Sequence, residues 1–192
     1  MRSGDMSPIL LRAAAIALLV GGVGWGLVGL MGGWLSAGSF GLTESQVRAL
    51  VQPFLVLLIL GTPGLYFGLR HGPGYLLAGG TVLAEVGLVL ALLGTAATYG
   101  LTGCGGDPNG QTLIGIGTVV IGAGALVMSL GLIRQGGVAE WIPILFAALG
   151  LSVIPALLEP RLAILPGLCW AALGFTVWIA SDEMEAEVRK RS

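Results

Sequence analysis

The stretch from Gly74 to Gly100, GYLLAGGTVLAEVGLVLALLGTAATYG, carries one acidic side chain, Glu85, and no basic one. Roughly 20 consecutive apolar residues cross the hydrocarbon core of a bilayer as a helix. In water such a helix would be apolar on every side, whereas in hydrocarbon it satisfies its backbone N–H and C=O groups within itself. Runs of the same kind flank it at about 9–35, 51–69, 113–133, 141–158 and 162–180. The sequence therefore predicts an all-α fold, a polytopic transmembrane bundle of six spans forming one integral membrane domain over residues 1–192. The chain is 10% charged, against about 25% in soluble domains, and its mean hydropathy is +0.94. The apolar runs are continuous, without the in-and-out alternation of barrel strands. The first run is longer than the apolar core of a cleavable signal, about 7–15 residues, and reads as a retained helix.

The 34 glycines would weaken soluble helices, at about 1 kcal/mol each relative to Ala. In lipid, small residues instead let helix backbones approach closely. Gly22, Gly26, Gly29 and Gly33 form a ridge at three-to-four-residue spacing, which serves either a dimer or, more simply, a neighbouring helix of the same chain. The fourth run holds two seven-residue series, Gly115/Gly122/Ser129 and Gly117/Gly124/Gly131. Such a repeat keeps one seam facing its partner in left-handed packing, and places this helix inside the bundle rather than at its edge.

The connections are short. Thr43 reads as an N-cap with Gln46 closing a capping box, so a helix should begin at Thr43 or Glu44 near the surface and run into the second span. Arg70-His71-Gly72-Pro73 is a tight turn that makes spans two and three an antiparallel hairpin, and Thr102 to Gly110 reads as a Gly/Pro/Asx loop. With the N-terminus cytoplasmic, that side holds Arg2, Arg12, Arg70, Arg134, Arg189, Lys190 and Arg191, and the other only Arg48 and Arg161. This distribution matches the positive-inside rule, with both ends cytoplasmic. Eight Arg to one Lys suggests a prokaryotic source, hence the plasma membrane, the inner membrane of a two-membrane cell. Three spans on either side of the Cys104 loop also invite an inverted repeat, since Leu18 to Gly21 and Val119 to Gly122 open similar Gly-rich runs.

Glu85 is the one acidic or basic side chain deep in an apolar run. A charged carboxylate at the bilayer centre costs about 2.5–3.5 kcal/mol on insertion scales, and Arg70 or His71 would sit about 20 Å away along the helix, so the neutral acid is the expected resting form. Pro63 removes a backbone donor and frees the carbonyl of Ile59 in span two at comparable depth. Glu85 is thus expected to donate a hydrogen bond to the Ile59 or Leu60 carbonyl. Its helix face, with Ala78, Thr81, Val89, Leu92 and Ala96, would then point into the bundle. The sharper alternative is a protonatable substrate, proton or cation site beside the broken helix, with Thr62, Tyr66, Thr81 and Thr118 as helpers.

No enzyme class fits. Metalloenzymes need clustered His or Cys ligands, and the chain has one His and two Cys, so neither a metal site nor a cofactor is expected. Serine catalysis needs a base within reach, and His71 has no Ser near it in sequence. A net charge of −1 with scattered basic residues argues against nucleic acid. The expected partners are the lipid bilayer and a homo-oligomer or larger membrane complex. Two functions stay open: a non-catalytic membrane component packing against itself or a larger complex, and a small transporter or proton- or cation-coupled carrier using Glu85. Lipid-facing glycines would favour the first, and a polar cavity reaching Glu85 the second.

Overall fold

The computed structural model describes residues 7–34, 44–69, 74–100 and 108–191. Among them the fold is all-helical, with seven α-helices and one 3-10 turn: α1 (Pro8–Trp34), α2 (Glu44–Ala49), α3 (Val51–Leu69), α4 (Tyr75–Tyr99), α5 (Pro108–Gln135), α6 (Trp141–Leu158), the turn Pro160–Ala163, and α7 (Ile164–Arg191). All but α2 are long and apolar enough to cross a membrane. Their outward faces are apolar as well: Leu60, Val82, Leu93, Ile133 and Ile144 are all more than half exposed. Such a surface is compatible with a multi-pass membrane protein.

The ends follow local chemistry. Pro8 stands at the first helical position of α1, where a missing N–H costs nothing, and Ser7 caps it, its Oγ accepting from Leu10 N at 3.3 Å. Gly100 ends α4 at φ 64°, its N–H donating to Ala96 O at 2.8 Å. Gly136 ends α5 in the same way at φ 63°, a conformation that costs a glycine nothing. Helix α2 starts at the expected place, but Leu50 forms a turn and separates it from α3. Helix α5 begins at Pro108, about five residues before the expected start, so Asn109 and Gly110 belong to a helix rather than a loop. The reason is packing: Gly110 seats against Gly94 and Thr98 of α4, which extends the helix pair to its end. The Thr43 cap, the 70–73 turn and Cys104 lie outside the described residues.

Each span packs on the next, α7 returns to α1, and α3 also touches α7. The bundle is therefore a closed ring around one continuous core, with Leu18, Leu58, Leu88, Ile121, Phe146 and Trp170 fully buried in it. Helix α5 is a member of that ring, not its centre. Ile116, Val119 and Leu130 are about half exposed, because two opposed glycine seams leave a third side of the helix outward.

Glycine sets the closest approaches. On α4 a seven-residue series, Gly80/Gly87/Gly94, meets Gly110/Gly117/Gly124/Gly131 of α5. A methyl at Gly87 would lie 2.6 Å from Gly117 O and Ile121 N, one at Gly124 2.6 Å from Ala84 N, and one at Gly131 2.8 Å from Leu77 N. The second α5 series divides. Gly122 approaches Gly150 O of α6, Ser129 Oγ donates to Pro143 O at 2.8 Å, and Gly115 has open space around it. Gly22 and Gly26 of the α1 ridge pack on Gly167 of α7, so that part of the ridge is used within the chain. The packing of Gly33 lies outside the described residues. At the end nearest the termini, Arg12 Nη2 meets Asp182 Oδ1 at 2.6 Å and lies over the Trp178 ring, joining α1 to α7.

The handedness of the ring is not that of a sequence-ordered inverted repeat. In α1 the residues facing α3, Ala14 and Gly21, each precede by one position those facing α7, Ala15 and Gly22. In α5, Ile121 faces α4 and Gly122, one position later, faces α6. The neighbour that follows in sequence thus lies on opposite rotational sides of α1 and α5. A two-fold axis in the membrane plane would keep it on the same side.

Candidate functional site

Glu85 lies midway along α4, half-buried, with Oε1 enclosed and no hydrogen-bond partner. The expected bond to the Ile59 or Leu60 carbonyl is not made. The cause is the glycine seam. Close packing on α5 turns Gly80, Ala84, Gly87 and Ala91 inward, and Glu85 is left on the flank of that stripe, with Val89 of its own face 41% exposed. The helper residues are committed elsewhere. Thr62 Oγ1 donates to Leu58 O at 2.7 Å and Thr81 Oγ1 to Leu77 O at 2.8 Å, both within their own helices, as hydroxyls in apolar helices commonly do. Tyr66 is half-buried and packs edge-to-face with Phe67, ring centres 5.2 Å apart. Pro63 sits within an otherwise continuous α3.

A cavity with polar lining lies elsewhere. At the end of the ring away from the chain termini is a cup of about 410 Å³ lined by five of the six spans, by α2 and by the 3-10 turn before α7. Trp25, Val28 and Gly29 come from α1, Arg48 from α2, Val51 from α3, Thr95 and Tyr99 from α4. Gln111, Ile114, Gly115 and Thr118 come from α5, Ala156 and Leu157 from α6, and Ala163 from the 3-10 turn. The volume falls within the range of about 300–1,000 Å³ typical of small-molecule sites. Glu85 is not part of it.

The cup has both polar and apolar lining, and the polar part follows from its helices. Helices α4 and α5 remain in close contact to their ends through Gly94 and Gly110, which brings Tyr99 and Gln111 together: Gln111 Nε2 donates to Tyr99 Oη at 3.1 Å. Arg48 Nη1 donates to the same oxygen at 3.2 Å, so α2 is drawn over this edge. Gln52, buried at the start of α3, donates from Nε2 to Gly100 O at 2.8 Å and satisfies a carbonyl at the α4 terminus that no helical N–H reaches. Thr95 and Thr118 donate to Ala91 O and Ile114 O at 2.6 and 2.7 Å, so they offer the cup oxygen lone pairs only. The lining also includes Trp25, Val28, Val51 and Leu157, all apolar but for the Trp indole N–H. Such a space can hold a ligand with one polar end and one apolar body.

Of the residues read from the sequence, Gly29, Gly115 and Thr118 belong to the cup, whereas Glu85, Thr62, Thr81, Tyr66 and Pro63 do not. Arg48, Gln52, Tyr99 and Gln111 went unread as a site. The signal was present: four polar side chains just within helix ends that an alternating bundle brings to one end. Comparison with family models, curated proteins and solved structures finds no match to this sequence.

Proposed function

We propose that the protein is a non-catalytic multi-pass membrane protein that binds a small molecule in the cup, as a carrier or a membrane-embedded receptor. The observation that carries this reading is that five of the six spans, with α2 and the 3-10 turn before α7, line one cavity, so occupancy bears on most of the ring. With both termini cytoplasmic, as the basic residues suggest, the cup opens on the far side of a prokaryotic plasma membrane. Cysteine accessibility tests it: with Cys104 and Cys169 replaced by Ser, Gly115→Cys reacts in intact cells with a membrane-impermeant maleimide, whereas Val82→Cys, on the apolar exterior, does not. Protection of Gly115→Cys in intact cells, with labelling after lysis, would refute an outward-opening cup.

A second reading has one observation in its favour. The partnerless Glu85 carboxyl, half-buried on an outward flank, suits a donor from a second helix, as in a homo-oligomer or a larger membrane complex. Most of the glycine ridges speak against it, because they are spent within the ring. Crosslinking through Val86→Cys in native membranes separates the two, since a self-associating α4 face gives a dimer band and a lipid-facing one does not.

A further inference from the structure

We infer that the groove between α5 and α6, at the end of the ring nearest the chain termini, holds one phospholipid with a primary ammonium headgroup. An acyl chain lies along the groove, and the headgroup sits between Arg134 and Glu140. The inference stands apart from the cup and does not depend on what the cup binds. Three observations carry it. The first is the groove itself, a space of about 450 Å³ open to the apolar exterior. Ile133 and Ile144, both more than half exposed, line it together with Ala147. Ser129 lines it too, but its hydroxyl is spent on Pro143 O at 2.8 Å. The body of the groove therefore suits a hydrocarbon chain, and an exposed apolar surface rimmed by polar residues marks a place of interaction.

The second is how the groove ends. Gly136 and Gly137, at φ 63° and 76°, turn the chain from α5 to α6 without side chains, and a methyl at Gly136 would meet nothing within 4 Å. The groove thus runs out into open room at its head. Trp141, at the start of α6 and 46% exposed, sets that head at the level where amphipathic rings gather, the boundary between hydrocarbon and headgroups. The third is charge. Glu140 lines the head of the groove, and Arg134 stands in the last turn of α5, next in sequence to Ile133. Both are exposed, and among the described residues neither makes an ion pair or a side-chain hydrogen bond, with the other or elsewhere. A guanidinium donates well to a phosphate, and a carboxylate accepts well from an ammonium. An acid and a base that flank one groove without pairing complement a zwitterion. An anionic headgroup would set a like charge against Glu140, and a trimethylated ammonium would offer it no N–H.

The test is native mass spectrometry of the full chain released from micelles, with phosphatidylethanolamine, phosphatidylcholine and phosphatidylglycerol of the same acyl chains added in turn. One phosphatidylethanolamine per chain is expected to be retained, about tenfold more tightly than either other lipid, as one hydrogen bond to a charged group would give. Glu140→Gln is expected to bring it down to their level, and Glu140→Asp to keep a preference. Arg134→Gln should weaken all three severalfold, since each carries a phosphate. Ala147→Leu, which fills the groove from its wall, is expected to remove the retained lipid. Ala148→Leu, an exposed neighbour outside the described lining, should leave it in place. Equal retention of the three lipids, or a preference that survives Glu140→Gln, would overturn the headgroup assignment. A lipid that survives Ala147→Leu, a dimer in place of the lipid adduct, or no retained lipid at all would overturn the inference as a whole.

Discussion

Replacing Gly87 with Ala adds one methyl group in the middle of the α4–α5 glycine seam. Its carbon would stand 2.6 Å from Gly117 O and 2.6 Å from Ile121 N, roughly 1 Å inside the 3.5–4.0 Å at which nonbonded atoms attract. Both obstacles are backbone atoms of a helix, so no rotamer change relieves them and α4 must move off α5. Forcing extra methylenes into a packed core costs about 1–3 kcal/mol. Against this stands the intrinsic gain of Ala over Gly in a helix, up to about 1 kcal/mol. Gly79→Ala supplies the control, since it lies on the same helix, is exposed, and has nothing within 4 Å of the added carbon. Both variants share the propensity gain, so their difference isolates the packing. We expect Gly87→Ala to be less stable than Gly79→Ala by about 1–3 kcal/mol in reversible unfolding in mixed micelles followed by tryptophan fluorescence. Adding Gly117→Ala to Gly87→Ala should cost less than the sum of the single effects, because helices already separated accommodate the second methyl. Equal stability of Gly87→Ala and Gly79→Ala would refute the seam as the contact holding α4 to α5.

Three further outcomes follow from particular contacts. Ser129→Ala removes the bond to Pro143 O and should cost about 0.6–1 kcal/mol in the same unfolding measurement, the usual worth of an interhelical hydrogen bond in a membrane protein; no loss would mean the bond is not made. Arg12→Ala breaks the pair with Asp182, whose side chains are 36% and 48% exposed. Loss of the ion pair should therefore cost no more than about 1 kcal/mol, the part of the effect that shrinks between low and high salt and would be misassigned if it did not. Glu85→Leu deletes an enclosed oxygen that has no partner, so stability in nanodiscs should hold or rise, whereas a clear loss would reveal a partner for the carboxyl.

The fold was legible from the chain to the extent that membrane physics constrains it. Six runs needed six helices, and the helix ends fell near Pro8, Leu69, Gly100 and Leu158, where Pro, Gly or a turn stops the pattern. The Gly117/Gly124/Gly131 spacing announced a close helix contact, but not its partner. The matching Gly80/Gly87/Gly94 series reads as a seam only beside its opposite number. The same seam explains why Glu85 misled. A lone carboxylate in an apolar run invites a site, yet which face of α4 turns inward was decided by the glycines, and they put Glu85 on the flank. The cup was hidden for a different reason. Arg48, Tyr99 and Gln111 lie on three separate elements near connections, each unremarkable alone, and only the closing of the ring gathers them.

The claim that most needs testing is that the working site is the cup and not the mid-membrane carboxyl. Labelling of Gly115→Cys and of Glu85→Cys by a membrane-impermeant maleimide in intact cells, each with Cys104 and Cys169 replaced by Ser, sets one against the other. The expected result is that Gly115→Cys reacts and Glu85→Cys does not. Labelling of Glu85→Cys with Gly115→Cys protected would contradict it and return the function to α4.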